Sequence, residues 1–380
     1  MTNATLKTIF KTCKETTLFG RYIHTKSIAA LLKKHQTNFK IQVIGQSVLK
    51  EDLYSITVGS GKKRILMWSQ MHGNESTTTK SLFDLLNFLS SHVNSKSILK
   101  TCTIVIIPIL NPDGAKAYTR LNANGVDLNR DAQQLTQPES LVLRTVFSEF
   151  KPHYCFNLHG QRTIFSAGNT NNPATLSFLS PAQDKVCSIT ENRKVAMSVI
   201  VKVNKMLQNE IPNQVGIYDD TFNINCVGDT FQSFNVPTVL FEAGHYPSDY
   251  DKEAVRCLVF QSYIIALNTI VEEVIALNDY HDYFQIPQNR KLFFDVIIKN
   301  VLFNNEVLDV AIQYQERLIE DLVHFIPKIE KIEKLDAFFA HNYIDANGQV
   351  VFNEKNKPIF VGSENVFVLI NNEKYALNFD

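Results

Sequence analysis

The residues best suited to chemistry near the start of the chain are His72 and Glu75, in Met71-His72-Gly73-Asn74-Glu75. A histidine and a carboxylate three residues apart can reach one metal ion, although a polar loop with a helix-start glutamate gives the same spelling. Later stretches carry the same theme. His159-Gly160 stands just past the apolar run Tyr154-Cys155-Phe156-Asn157-Leu158, and Glu242-Ala243-Gly244 stands just past Val236-Pro237-Thr238-Val239-Leu240-Phe241. Between them lies the polar string Arg120-Leu121-Asn122-Ala123-Asn124-Gly125-Val126-Asp127-Leu128-Asn129-Arg130, which offers little to pack.

These residues need elements to position them. Arg64-Ile65-Leu66-Met67-Trp68-Ser69 reads as a buried strand after a Gly-Lys-Lys turn. Leu82, Leu85, Leu86 and Leu89 recur at helical spacing, so a helix is expected from about Ser76. His72 and Glu75 then occupy a strand-to-helix loop, where α/β folds place ligands. Thr103–Ile109 is a nearly unbroken β-branched run suited to a strand covered on both faces, and it ends in the turn signal Asn111-Pro112-Asp113-Gly114.

Residues 1–50 read as a helical lead-in, with Ile28, Leu31 and Leu32 on one face, followed by strands at Ile41–Gly45 and Tyr54–Gly59. Helices are expected over about 138–150, 192–209 and 251–276. Strands alternating with helices predict an α/β fold with a mixed, mostly parallel central sheet, and His72, His159 and Glu242 fall at the carboxyl ends of its strands. Residues 278–290 read as a linker. The runs at 293–298, 307–312, 350–352 and 366–370 predict a small β-rich C-terminal domain, with a helix inside 315–340. The expected division is 1–280 for the larger domain and 286–380 for the smaller.

Composition narrows the function. Lys plus Arg equals Asp plus Glu, 38 each, which gives no electrostatic case for nucleic acid or an anionic membrane. The N-terminus lacks the apolar core of a signal peptide, and no later stretch reads as a membrane span. The six cysteines are scattered without a Cys-x-x-Cys pair, and Cys102 and Cys155 read as small core residues. A reduced, cytoplasmic protein is expected.

With these strings in view, the chain resembles the zinc carboxypeptidase (metallocarboxypeptidase) family over about residues 60–275. The resemblance rests on His72-x-x-Glu75, the Asn111–Gly114 turn, the Arg120–Arg130 string, His159 and Glu242, in that order. It implies one Zn2+ held by His72, Glu75 and His159 with a fourth position for water, the two-histidine, one-glutamate set that serves catalytic zinc. It implies Glu242 as the proton carrier and Arg120 as the stabiliser of the oxyanion. Asn129 and Arg130 match the pair that holds a terminal carboxylate, and Asp127 the carboxylate that orients a zinc histidine. The family's mobile tyrosine falls on Tyr218, with Tyr246 as competitor. Asp229 falls near the side-chain pocket, where an acid would favour a basic group. His245 reads as a residue near the site or an ordinary loop histidine, and His153 as structural.

The resemblance implies hydrolysis of a C-terminal peptide bond, the substrate being a peptide with a free carboxylate. The short gap from Glu75 to His159, the His-Gly-Asn-Glu wording and the β-rich addition also resemble the aspartoacylase and succinylglutamate desuccinylase branch, which implies N-acyl amino acids as alternative substrates. A binding protein that kept the fold without catalysis is the third reading. The complete set of implied ligands, base, arginine and clamp speaks against it.

Overall fold

The computed structural model describes residues 2–272 and 277–377. The chain divides into two compact units, one of residues 1–161 and 174–289, the other of 162–173 and 290–380. The segment 162–173, inside the expected 1–280 span, therefore packs with the smaller unit.

In the larger unit the strands are β1 (Lys40–Gln46), β2 (Asp52–Gly59), β3 (Lys63–Ser69), β4 (Cys102–Ile107) and β5 (Tyr154–Gly160). The chain then forms β6 (Phe165–Ala167) in the smaller unit, and returns as β7 (Leu176–Leu179), β8 (Val215–Ile217) and β9 (Thr238–Ala243). Among the described residues these make an eight-stranded sheet in the order β1-β2-β4-β3-β5-β9-β7-β8. The inner pairs β4–β3, β3–β5 and β5–β9 are parallel, as is β7–β8, while β1–β2, β2–β4 and β7–β9 are antiparallel.

The helices are α1 (Asn3–Cys13), α2 (Thr25–His35), α3 (Thr77–Ser91), α4 (Lys96–Thr101), α5 (Pro112–Ala117), α6 (Pro138–Phe150), α7 (Glu191–Leu207), α8 (Val227–Ser233) and α9 (Glu253–Val271). Alternation along the strands feeds two cores. Ile65 and Met67 of β3 with Ile104 and Ile106 of β4 pack under α1, α2, α3, α7 and α9. Leu66, Trp68, Val105 and Ile107 pack on the opposite face against Leu143 and Phe147 of α6 and Phe231 of α8. The apolar runs read as doubly covered strands are buried on both faces.

α9 corrects the reading that no stretch is apolar enough to span a membrane. Its 19 residues pass by length and composition, yet most of the helix is buried within the unit, against α3 and α7. One buried charge is matched there: the Arg256 guanidinium on α9 donates to both oxygens of Asp84 on α3, each at 2.6 Å. The expected linker also differs. Leu277–Gln285 is a 3-10 helix beside α7, and Tyr283 and Ile286 join the core.

The smaller unit is built from β10 (Asn289–Lys291), β11 (Phe293–Phe303), β12 (Glu306–Ile319), β13 (Leu322–Glu333), β14 (Phe339–Asp345), β15 (Val351–Phe352), β16 (Phe367–Ile370) and β17 (Glu373–Ala376). They form sheets β10-β6, β13-β12-β11-β14 and β15-β16-β17. The helix expected inside 315–340 is absent from these described residues. β12 and β13 are one long hairpin, closed at Glu320-Asp321, both in the left-handed region, with Ile319 opposite Leu322.

Candidate metal centre and active site

β3 delivers the first two site residues through a tightly held loop. Leu110 and Asn111 donate backbone N–H bonds to the carbonyls of Ser69 and Gln70, both at 3.0 Å, and the Asn111 amide donates to Met71 O at 3.2 Å. Gly73 lies so close to the backbone of Gly114 that an added Cβ would stand 2.0 Å from it, so only glycine fits. The Asn111-Pro112-Asp113-Gly114 string is thus the start of α5 rather than a free turn. Asn111 caps it by accepting from the Gly114 N–H at 2.8 Å, and α5 supports the His72 loop.

His159 and Glu242 come from neighbouring parallel strands. They are direct partners in the β5–β9 register, so their side chains leave the same face of the sheet. His72 Nδ1 lies 2.9 Å from Glu75 Oε1, His159 Nδ1 lies 3.0 Å from Glu75 Oε2, and the two Nδ1 atoms are 3.1 Å apart. Two donors each about 2.05 Å from a tetrahedral zinc stand about 3.3 Å apart. The three side chains therefore present a fitting donor set for zinc, and it is the cluster of this kind among the described residues.

Outer contacts fix these donors. His72 Nε2 donates to Asp127 Oδ1 at 3.0 Å, which leaves the Nδ1 lone pair toward Glu75 and His159. The Gly160 N–H donates to Glu75 Oε2 at 2.9 Å. Arg120 donates to Asp127 Oδ2 from Nη2 at 3.1 Å and from Nε at 3.3 Å, and its Nη1 reaches Glu75 Oε1 at 3.3 Å. Asp127 also caps the following turn by accepting from the Asn129 N–H at 2.9 Å.

The electrostatics favour a cation at the three donors. Burial penalises the His72 imidazolium, but the Glu75 charge and the hydrogen bonds to Asp127 and Glu75 raise its pKa to about 9. A field that attracts a proton to that nitrogen attracts a metal ion equally. Burial would raise the Asp127 pKa, yet the hydrogen bond and charge of His72 and the charge of Arg120 hold it far below the ordinary carboxylate range. Glu242 is the opposite case. Burial, then the Glu75 charge, push it well above 4.5, and its Oε2 has no hydrogen-bond partner among the described residues.

The remaining expected residues make contacts of their own. Asn129 Oδ1 accepts from the Val227 N–H at 3.0 Å, and Arg130 donates from Nη1 to the Asn129 carbonyl at 2.7 Å. The Arg130 side chain is exposed, and among the described residues no carboxylate forms an ion pair with it. Tyr218 donates its phenol to Gln161 Oε1 at 2.8 Å, and its pKa is raised by burial and then by the charges of Glu242 and Glu75. Tyr246 is 37% exposed. Asp229 accepts from the Asn223 N–H at 3.1 Å, and burial raises its pKa to about 6. His245 packs on Tyr250, and His153 Nδ1 accepts from the Arg64 N–H at 3.2 Å, away from the metal donors in the hydrogen-bond pattern.

Sequence reasoning missed three residues. Asn122, buried, accepts from the Asn124 and Val126 N–H groups at 3.1 and 3.0 Å and shapes the loop that carries Asp127. Gln161 holds Tyr218. Lys252, buried, donates to the carbonyls of Gln161 and Ala243 at 2.8 and 3.0 Å. The spacing of Gln161, two residues past His159, was the one signal available.

A mixed sheet with two imidazoles and two carboxylates at the ends of its central strands defines an α/β metallopeptidase scaffold. The family model for zinc carboxypeptidase matches residues 24–217, just over half of the chain. The chain belongs to the zinc carboxypeptidase family. It is 30% identical over 115 residues to carboxypeptidase 2 of Trichophyton rubrum, a match covering 30% of this chain and 21% of that protein. It is 33% identical over 95 residues to gamma-D-glutamyl-L-diamino acid endopeptidase 1 of Lysinibacillus sphaericus, covering 22% of this chain and 24% of that one. These matches span about a fifth to a quarter of the relatives' own lengths. In fold it is similar to the carboxypeptidase A of Helicoverpa armigera, with a TM-score of 0.52 at 13% identity, covering 72% of this chain and 81% of the other.

Proposed function

We propose that this chain is a zinc-dependent carboxypeptidase that releases the C-terminal residue of a peptide. The observation that carries this reading is the convergence of His72 Nδ1, Glu75 and His159 Nδ1, with the half-buried Glu242 on the neighbouring strand offering a buried, unpartnered Oε2. One zinc ion per chain would be held by those three side chains. Bound in this way, zinc supplies a water molecule acidified to a pKa of about 7.

The chain's own residues supply the rest. Glu242 would accept the attacking water's proton and later deliver it to the leaving amine; desolvation of its carboxylate, which disfavours the charged form, raises its basicity for that task. Arg120, always charged, stabilises negative charge that develops on the scissile carbonyl oxygen. Arg130, with no carboxylate of its own, and Asn129 hold the substrate's terminal carboxylate through charge-assisted hydrogen bonds. Tyr218 contacts the bound peptide from the Gln161 side. All six cysteines are free thiols, which suits the cytoplasmic placement we also propose.

The test is a hydrolysis screen on the zinc-loaded protein. Peptides with free and with amidated C-termini, γ-D-glutamyl-diamino acid peptides and N-acyl amino acids are compared with and without chelator. Chelator-sensitive release of one residue from free-carboxylate peptides alone supports the proposal. Cleavage confined to N-acyl amino acids would replace it with an amidohydrolase, and no turnover at full zinc occupancy would leave a binding protein.

A further inference from the structure

The family resemblance implies that Tyr218 is mobile, yet the structure ties it down through its backbone, its neighbours and its phenol. Its backbone N–H donates to Phe178 O at 3.0 Å, and Ile217, just before it, donates to Pro287 O at 2.9 Å. Two residues later, the Asp220 carboxylate accepts from the fully buried Arg193 guanidinium at 2.5 Å, and its carbonyl accepts from Cys187 Sγ at 3.3 Å. The phenol itself donates to Gln161 Oε1 and is also hydrogen-bonded by the Asn289 side chain, which Gln161 Oε1 in turn holds.

Gln161 is in turn fixed by all of its polar groups. Its backbone N–H donates to Ala243 O at 3.0 Å, and its carbonyl accepts from Lys252 Nζ at 2.8 Å. Its side-chain amide donates to Ala174 O at 2.6 Å, while Oε1 accepts from both Tyr218 and the Asn289 amide, the latter at 3.1 Å. An amide whose nitrogen donates to one backbone carbonyl and whose oxygen accepts twice has one orientation, and a buried one is costly to release. Lys252 also bonds Ala243 O at 3.0 Å, so one buried ammonium clasps the chain just past His159-Gly160 and just past Glu242.

We propose that Gln161 is a positioning residue that seats Tyr218 permanently at the active site, so that the phenol meets the substrate from a fixed place rather than by a swing of its loop. The kinetic half of this rests on the reading of Tyr218 as a substrate contact; the seat itself does not.

The experiment uses the full-length, zinc-loaded protein labelled with 3-fluorotyrosine and read by fluorine NMR, with the Tyr218 signal identified by its loss in Tyr218→Phe. The expected result is one Tyr218 signal at a single position, largely shielded from a dissolved paramagnetic quencher. A signal at the solvent-exposed position, or one averaged between two positions, overturns the proposal, and this measurement needs no Gln161 variant. Gln161→Met should move the signal toward the solvent position, while Gln161→Glu, which keeps the acceptor, should move it less. An unmoved signal in folded Gln161→Met also overturns the proposal. For the best substrate of the screen, Gln161→Met and Tyr218→Phe should each lower kcat/KM about tenfold, and the double variant no further. Losses that multiply would mean that Gln161 acts apart from the tyrosine, against the proposal. If the signal moves in Gln161→Met while Tyr218→Phe turns over normally, the seat stands and the substrate contact of Tyr218 is what fails.

Discussion

The Asp127 carboxylate joins His72 and Arg120 through different oxygens. Oδ1 accepts from His72 Nε2 at 3.0 Å, and Oδ2 accepts from Arg120 Nη2 at 3.1 Å. One side chain therefore sets the tautomer of a proposed zinc ligand and the aim of the proposed oxyanion arginine. Asp127→Asn keeps the shape but puts an amide where an acceptor oxygen was. Zinc affinity should fall about 10–100-fold, the usual cost of losing such a partner. Competition with a fluorescent chelator measures it, and unchanged affinity would show that His72 needs no help from Asp127.

Glu242 separates metal binding from turnover. Its carboxylate is not among the three convergent donors, although it neighbours His159 in the strand register. Glu242→Gln should therefore retain zinc at wild-type stoichiometry while kcat falls by about 10²-fold or more, because the amide cannot carry the proton. Metal analysis beside steady-state kinetics checks both halves. Near-normal turnover would refute the role.

Much of this arrangement was legible before any coordinates, for local reasons. His72-x-x-Glu75, the Arg120–Arg130 string, His159 and Glu242 each follow a strand or turn whose apolar pattern is visible in a short window. The structure brings His72, Glu75, Asp127, Arg120 and His159 into one hydrogen-bonded group. Gln161 and Lys252 were not legible, because their roles come from Ala174, Tyr218, Ala243 and Asn289, partners scattered along the chain. The β12–β13 hairpin was misread for another reason. Charged residues on its half-exposed faces break the alternation, and Glu320-Asp321 is a rarer spelling of a tight turn than Asn-Gly.

Arg130 should act on ground-state recognition. Its guanidinium is exposed, donates to the Asn129 carbonyl and reaches the Cys226 thiol, which leaves further donors for a substrate carboxylate. Arg130→Ala should raise KM for free-carboxylate peptides about 10-fold or more with a smaller change in kcat, since a charge-assisted bond contributes about 1.5–3 kcal/mol. Amidated peptides serve as the control. An equal effect on them would count against the clamp.

His35 supplies a test of pH-dependent stability that does not involve the active site. It ends α2, is 1% exposed, and neither ring nitrogen has a hydrogen-bond partner among the described residues. Its ring lies between Phe39 and Phe83, with centroids 5.8 and 6.3 Å away. Burial, reinforced by the Lys34 charge, depresses its pKa to about 4 from an ordinary 6.5. The folded state thus keeps the ring neutral in a range where the unfolded chain binds a proton. Stability is complete above about pH 6.5 and declines as pH falls toward about 4, at up to about 1.4 kcal/mol per pH unit. His35→Leu removes this linkage. The loss of unfolding free energy between about pH 7 and pH 5 should then be smaller than in the wild type by about 2 kcal/mol. Denaturant titrations followed by the single tryptophan, Trp68, which is fully buried, read the difference directly. Parallel pH profiles for the two proteins would mean that the His35 ring finds a proton partner in the fold after all.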